Sequence, residues 1–137
     1  MYKSIIVAVA LDHENVAAAL LDRAEKLADT DGTIRVITVV EPIPAYVTAE
    51  LPPDLFDGHV RAAQDALDGI AASRTGGRIV TELRLGGPAA EIMAAADEHG
   101  ADLIMVASHK PGFSTYFIGS TAAKVVRHAQ CSVLVVR

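Results

Sequence analysis

The residues best suited to bind an anion lie in the stretch Ser108–Thr121, which reads "SHKPGFSTYFIGST". Its last three residues, Gly119–Thr121, precede a segment with helical periodicity. A helix that begins there would present free backbone N–H groups and the positive end of its dipole to an anion, and Ser120 and Thr121 would add hydroxyl donors. The alternative is that Ser120 only caps the helix, and local chemistry alone favours it because caps are far commoner than phosphate sites.

His109 and Lys110 add two polar side chains at the start of the same stretch. Lys110 can offer a positive charge to a phosphate, and His109 can hydrogen-bond a ligand or act as a base near neutral pH. A solvated lysine and a histidine packed against the loop explain the same residues equally well. Neither GxxxxGK[ST] nor GxGxxG occurs in the sequence, so kinase-type and dinucleotide sites of those designs are not predicted.

Two other clusters of reactive residue types are poor candidates for chemistry. Residues 12–14 are Asp-His-Glu, but adjacent residues on a short loop cannot all face one metal ion, and helix capping by Asp12 or Asn15 is the better interpretation. Cys131 has His128 near it but no positioned acid, so we take it as a small, partly buried residue. We predict neither catalytic residues nor metal ligands.

The elements that position these residues alternate between apolar β-branched runs and longer Ala-rich amphipathic segments, which is the pattern of a parallel α/β sheet. The predicted strands are Ser4–Val9, Ile34–Val39, Arg78–Leu85, Leu103–Ala107 and Ser132–Val136. The predicted helices are Val16–Asp29, Leu55–Ala72 with Asp54 as N-cap, Pro88 to Gly100, and Ser120 to Ala129. Because "IIVAV" and "LIMVA" are apolar without alternation, we expect helices on both faces of the sheet.

Glycine and proline residues mark the connections on either side of the second predicted strand. Gly32 is expected to turn the chain into the second strand, and the four prolines of residues 41–54 are expected to exclude regular structure from the middle of that connection. Ligands of open parallel sheets usually bind beyond the carboxyl ends of the strands, where the strand order reverses. The loops at Ala10–Asn15 and Ser108–Thr121 are therefore the predicted site.

Composition limits the function classes. A chain of 137 residues is predicted to form one domain, 1–137, and its net charge of −5 argues against nonspecific binding to nucleic acid. The single cysteine favours a reduced, cytoplasmic protein. The apolar run "IIVAVAL" is too short for a membrane span and lacks a signal-peptide cleavage pattern, so no membrane insertion is expected.

The last predicted strand, Ser132–Val136, is expected at an edge of the sheet. An apolar edge is an aggregation hazard unless it is covered, and a homodimer across a two-fold axis would cover it. The alternative is that the protein's own helices cover this strand.

Three segments together resemble the universal stress protein family: "MYKSIIVAV", "LGGPAAEIMAAADEHGADLIMVASH" and "GSTAAKVVRHAQCSVLVVR". The likeness covers the whole chain, and "ASHKPGFSTYFIGST" is similar to the F-type branch of the family. The resemblance implies an open five-stranded parallel sheet in the order 3-2-1-4-5, of the Rossmann-like HUP type, with four helices on its two faces and dimerisation through the fifth strand. It also implies binding of ATP, alone or with Mg²⁺.

The family's ATP pattern, Gly-x2-Gly-x9-Gly-(Ser/Thr), matches this chain in part. Its first two glycines become Ala107 and Lys110, and its closing pair, Gly119-Ser120, is kept after a loop one residue shorter. On this correspondence the adenine lies against residues 8–10 and the backbone of Val39, and the phosphates lie at the fourth strand's end. The implied nucleotide-binding residues are Ala8, Val9, Ala10, Val39, Ala107, Ser108, His109, Lys110, Gly119, Ser120 and Thr121.

Three functions are compatible with this reading of the sequence. The first is a cytoplasmic homodimer that binds ATP in a regulatory or stress-response role, with no or only slow hydrolysis. The second is a protein-interaction dimer of the same family that binds no nucleotide, which Ala10 favours because most nucleotide-binding members carry Asp there. The third and weakest is an enzyme acting on a nucleotide or small anion through His109 and Lys110.

Overall fold

Strands and helices alternate along the chain in the computed structural model, which describes residues 1–11, 14–52, 54–74, 76–108 and 119–137. The strands are β1 (Tyr2–Ala8), β2 (Ala28–Val40), β3 (Ile79–Leu85), β4 (Leu103–Ala107) and β5 (Ser132–Val136). The helices of these ranges are α1 (Glu14–Leu27), α2 (Ala45–Thr48), α3 (Leu55–Ala72), α4 (Pro88–Glu98) and α5 (Ser120–His128).

All five strands lie in one parallel sheet with the order β3-β2-β1-β4-β5, which confirms the predicted fold. The central strand β1 pairs with β2 on one side, Ile5 opposite Ile34, and with β4 on the other, Ile5 opposite Leu103. The chain therefore runs outward from β1 to β3 and then crosses to β4. This reversal opens a crevice at the carboxyl ends of β1 and β4.

Helices cover both faces of the sheet, as the unalternating apolar strands predict. Ile5 and Val7 of β1 belong to a buried cluster with Leu21 of α1, whereas Ile6 belongs to a second buried cluster with Val125 of α5. Successive residues of a strand point to opposite faces, so one apolar run supplies two cores. The strands below the crevice are thereby held rigidly from both sides.

Several boundaries differ from the sequence prediction. Helix α1 begins at Glu14, so Asn15 lies inside the helix and the prediction that it caps the helix is wrong, while Asp12 lies outside the described residues. Asp54 does occupy the N-cap position of α3, although no side-chain cap hydrogen bond forms there. Gly32 lies within β2, where the β1–β2 register shifts, and does not end a turn into the strand.

The connection after β2 contains regular structure, contrary to prediction. The short helix α2 occupies its middle, and Pro44 is the N-cap of that helix. The prolines stand at the two ends of the connection, where a proline in the first turn costs no helical hydrogen bond. Residues 45–51 contain no proline, so a single turn can form between them.

Candidate functional site

A cavity of about 980 Å³ lies where β1, β2 and β4 end. Nine of the eleven residues predicted from the family pattern line this cavity, which we call the main cleft. They are Ala8, Val9, Ala10, Val39, Ala107, Ser108, Gly119, Ser120 and Thr121. The other two, His109 and Lys110, lie outside the described residues. Three loops that are distant in sequence therefore converge on one cleft.

The floor of the main cleft is fixed at the end of β1. The backbone N–H of Val9 donates to the carbonyl of Ile37 at 2.9 Å, and the hydroxyl of Thr38, only 5% exposed, donates to the carbonyl of Val9 at 3.0 Å. These bonds continue the sheet by one residue beyond β1 and bury Val9. Ala10 follows as an exposed residue whose methyl group offers no hydrogen bond to a ligand.

The other end of the main cleft lies between β4 and α5. The N–H of Gly119 donates to the carbonyl of Ser108, and the N–H of Ser108 donates to the carbonyl of Val136 in β5 at 3.0 Å. A Cβ atom at position 119 would lie only 3.2 Å from the Ser108 carbonyl oxygen. Glycine thus allows the start of α5 to approach the end of β4 closely.

Helix α5 presents its N-terminus to this end of the main cleft. Gly119 is its N-cap and no side-chain cap hydrogen bond forms, so Ser120 is the first helical residue and the alternative that it caps the helix is wrong. The first N–H groups of a helix have no acceptor within it. The first turn also lacks acidic residues, which leaves the dipole's positive end uncompensated there. The geometry suits an anion held by N–H groups and the hydroxyls of Ser120 and Thr121.

The middle of the main cleft is apolar. Its walls include Val16 and Leu20 of α1, Ile92 of α4 and the small residues Ala62 and Ala66 of α3. Such a wall suits the faces of a planar ring, and the α5 end suits a phosphate chain, so the described residues fit a nucleotide. Glu41 is the one carboxylate among the described residues that line the main cleft, and it follows β2 at the end away from α5. The described lining residues therefore provide no carboxylate ligand for Mg²⁺ beside the start of α5.

Sequence reasoning missed the apolar walls of the main cleft and its two ionisable lining residues among those described, Glu41 and His59. Both lie at its β2 end. A signal for His59 was present in the helical spacing of Ala62, Ala63 and Ala66, since a face of small residues leaves room beside a helix. Glu41 gave no comparable signal.

Sequence reasoning also missed a charged cluster on β3 and α4, outside the main cleft. Ligand atoms of Glu82, Glu98 and His99 lie within 4.8 Å of one another. The guanidinium of Arg84 donates to Glu82 at 2.7 Å, to Glu91 at 2.9 Å and to both oxygens of Glu98 at 2.9 and 3.1 Å. The carboxylates of Glu82, Glu91 and Glu98 are therefore already paired with a cation of the chain itself, the guanidinium of Arg84. Glu98 is exposed and is ion-paired with Arg84.

The described ranges contain no helix both long and apolar enough to cross a membrane.

Known proteins resemble this chain over its full length. The profile of the universal stress protein family matches residues 1–137. Universal stress protein G of Shigella flexneri is 32% identical over 142 residues that cover 100% of both chains. Universal stress protein UspA of Lactobacillus plantarum has a similar structure, with a TM-score of 0.70, 23% identity and coverage of 99% and 98% of the two chains.

A third similar protein carries a ligand. The crystal structure of a universal stress protein in complex with cAMP aligns with a TM-score of 0.64 and 25% identity, over 99% of this chain and 97% of that one. The similar structures agree with the observed fold, and the family profile and the full-length relatives give the same family. The chain belongs to the universal stress protein family.

Proposed function

We propose that this protein is a cytoplasmic, homodimeric universal stress protein of one domain, residues 1–137, that binds ATP in a regulatory or stress-response role. The observation that carries the proposal is the convergence of nine of the eleven residues implied by the family pattern on one cleft, with the N-terminus of α5 at one end. Anions are stabilised at such a helix start by N–H groups and by the dipole. The phosphates would lie there, and the adenine against Ala8–Ala10 and the Val39 backbone.

Two further observations support a nucleotide in particular. A related universal stress protein was crystallised with cAMP, a ligand that contains adenine, ribose and phosphate. The main cleft of about 980 Å³ also lies at the upper end of the range for small-molecule sites, roughly 300–1,000 Å³. A single bound phosphate would leave most of that space unfilled.

Binding without turnover is the expected activity. In the proposed arrangement Mg²⁺ neutralises phosphate charge, and it would be held by the phosphates, water and the hydroxyls of Ser120 and Thr121. Hydrolysis needs a group that positions or deprotonates water, and Glu41, the cleft's described carboxylate, lies at the opposite end. We therefore expect no or only slow hydrolysis.

A difference between the two edges of the sheet supports the dimer. The edge strand β3 carries Glu82 and Arg84, and charged side chains discourage pairing with a second sheet. The other edge strand, β5, reads "SVLVV" and has no charged side chain. A second copy would cover β5 and leave β3 to solvent.

The alternative function is a protein-interaction dimer that binds no nucleotide. Ala10 favours it, because this residue lines the main cleft with a methyl group where most nucleotide-binding relatives carry Asp. That alternative keeps the β5 interface and leaves the cleft without a ligand.

Isothermal titration of the purified protein with ATP and saturating Mg²⁺ tests the proposal. We expect saturable binding that weakens in Gly119→Val, whose side chain would press on the Ser108 carbonyl, and in Lys110→Ala, which tests the charge predicted from sequence. Gly69→Val on α3 is the control, because a Cβ there meets nothing within 4 Å and Gly69 lies outside the main cleft. Absence of heat at millimolar ATP in the wild type would favour the interaction dimer. Unchanged ATP affinity in both site variants would mean that the phosphates do not bind at this loop.

A further inference from the structure

In the ranges that the structure describes, the two buried residues with polar side chains are Thr38 and Ser108, which are 5% and 3% exposed. Both line the main cleft. Burying a hydroxyl group is unfavourable unless it forms a hydrogen bond, so each of these residues needs a reason for its place. Ser108 belongs to the loop proposed for the phosphates, whereas Thr38 belongs to β2.

Thr38 occupies a core position of β2. Val36 belongs to the first buried cluster and Ile37 to the second. Because successive residues of a strand point to opposite faces, Thr38 lies on the same face as Val36 and Ile34, which are fully buried and apolar. An apolar residue would therefore satisfy the packing at position 38, and the hydroxyl group needs a separate explanation.

The hydroxyl group of Thr38 extends the pairing of β1 with β2. The last paired residues are Ala8 and Ile37. Beyond them the N–H of Val9 donates to the carbonyl of Ile37 at 2.9 Å, and the Thr38 hydroxyl donates to the carbonyl of Val9 at 3.0 Å. A side chain of β2 therefore holds Val9 at the point where the chain leaves the sheet, and Ala10 follows as an exposed residue.

We propose that Thr38 is a positioning residue of the ligand site, whose hydroxyl group, through the Val9 carbonyl, holds Val9 and Ala10 in the arrangement that binds a nucleotide. This proposal rests on the proposed function, which places those two residues against the ligand. Val9, Ala10 and Thr38 line the main cleft together. Thr38 acts through Val9, since its own side chain is almost fully buried.

The effect of losing the hydroxyl group follows from the burial of Val9, which is 8% exposed. Without this donor, the Val9 carbonyl loses a hydrogen bond in a place that water reaches poorly, and a buried acceptor without a partner is unfavourable. The segment would shift so that the carbonyl meets water. The arrangement that binds the ligand would then be populated for only part of the time.

Isothermal titration with ATP and saturating Mg²⁺ compares the wild type, Thr38→Val and Thr38→Ser. Thr38→Val keeps the shape of the side chain and removes the hydroxyl group, whereas Thr38→Ser keeps the hydroxyl group and removes the methyl group. We expect Thr38→Val to bind ATP about tenfold more weakly, because apparent affinity falls with the populated fraction of the binding arrangement. Thr38→Ser should retain most of the affinity. Equal affinity of Thr38→Val and the wild type overturns the proposal, and an equally large loss in Thr38→Ser overturns it too.

A control on the same strand separates positioning from a general loss of stability. Val36→Ala lies on the same face of β2, outside the main cleft, and should lower stability by leaving a cavity in the core. Urea unfolding measures the stability of each variant. Val36→Ala should bind ATP like the wild type, and a loss of affinity as large as that of Thr38→Val would contradict a positioning role.

The same titrations distinguish this proposal from the proposed function. Absence of ATP binding by the folded wild type would refute the proposed function and, with it, the role of Thr38. ATP binding that is unaltered in Thr38→Val would refute the role of Thr38 alone.

Discussion

Ala10 faces the main cleft with a methyl group at the point where β1 has ended and the backbone is still held by the sheet. The Val9 N–H and carbonyl are both engaged in hydrogen bonds with β2, so the position of residue 10 is well defined. A polar side chain placed there would project from a fixed anchor. We therefore expect the affinity for a nucleotide to depend strongly on the side chain at position 10.

We predict that Ala10→Asp strengthens ATP binding. A carboxylate at this position can accept a hydrogen bond from a nucleoside hydroxyl, and hydrogen bonds to charged groups contribute about 1.5–3 kcal/mol, so the gain should be about tenfold or more. Isothermal titration of both proteins measures it. Ala10→Asn serves as the matched control, because it supplies an acceptor without charge and should give a smaller gain. If the Ala10→Asp variant and the wild type bind ATP equally, the nucleoside does not lie beside residue 10.

At the scale of elements, α4 is fastened to the sheet by charge as well as by its apolar face. Arg84 of β3 contacts Glu91 and Glu98 of α4, and His99 at the C-cap of α4 lies 3.0 Å from Glu82. Arg84 is only partly exposed and contacts three carboxylates, so it contributes more than an isolated surface pair would. Ile92 of the same helix packs in the core and also lines the main cleft. The charged cluster therefore helps to hold one wall of the site.

We predict that Arg84→Met destabilises the protein by about 2 kcal/mol, because it leaves the partly buried Glu82 without its strongest partner. Burial raises the pKa of Glu82, but the hydrogen bonds and charges of Arg84 and His99 lower it by more. The pKa of Glu82 therefore lies below its ordinary value. Such a carboxylate stabilises the fold at neutral pH, and that contribution is lost as pH falls through its lowered pKa. In Arg84→Met the pKa should rise toward its ordinary value, so this acid-induced loss should be smaller and the stability difference between the two proteins should narrow as pH falls.

Urea unfolding of the two proteins from neutral pH to about pH 3 checks this prediction. Arg23→Met on α1 is the control, since Arg23 stands apart from the cluster in sequence and is exposed. A difference between wild type and Arg84→Met that stays constant over the whole pH range would contradict the assigned role of Glu82.

The extent to which sequence predicted these elements follows from the physics of each one. Strands β4 and β5 and helix α3 match their predicted bounds, because apolar runs and helical periodicity are local signals. Helix α2 was not predicted, because the prediction considered the number of prolines in the connection and not their positions. The Arg84 cluster escaped because its partners lie on separate elements, and only the fold brings β3 and α4 together.

Some parts of the candidate site could likewise be predicted from local sequence, and others could not. The N-terminus of α5 and the crevice beyond β1 and β4 follow from local sequence and from the rule for parallel sheets. The assignment of Val39 and the Ala8–Ala10 stretch to one cleft needed the family pattern. A second cavity, of about 690 Å³, could not be foreseen, since it depends on how the β2–α3 connection lies beside the start of α3.

In the molecule as a whole, the two edge strands of the sheet differ: β3 carries charged side chains and β5 carries none. Val80 on β3 is 36% exposed beside the charged Glu82 and Arg84. On β5, Val133 and Val135 pack partly against the second buried cluster and carry no charged neighbour within the strand. An open parallel sheet whose last strand is apolar exposes hydrogen-bonding groups that a second copy can satisfy. This asymmetry supports β5 as the contact strand of the proposed homodimer.

We predict that Val133→Lys converts the dimer to a monomer, whereas Val80→Lys leaves it dimeric. Both changes place the same charged side chain on an edge strand, and a lysine can extend its ammonium group to solvent while its stem covers apolar surface. Light scattering at micromolar concentration should give twice the chain mass for the wild type and Val80→Lys, and the chain mass for Val133→Lys. Thermal unfolding of the two variants shows whether each remains folded. A wild-type protein that is monomeric, or a Val133→Lys variant that remains dimeric while Val80→Lys dissociates, would place the contact elsewhere than on β5.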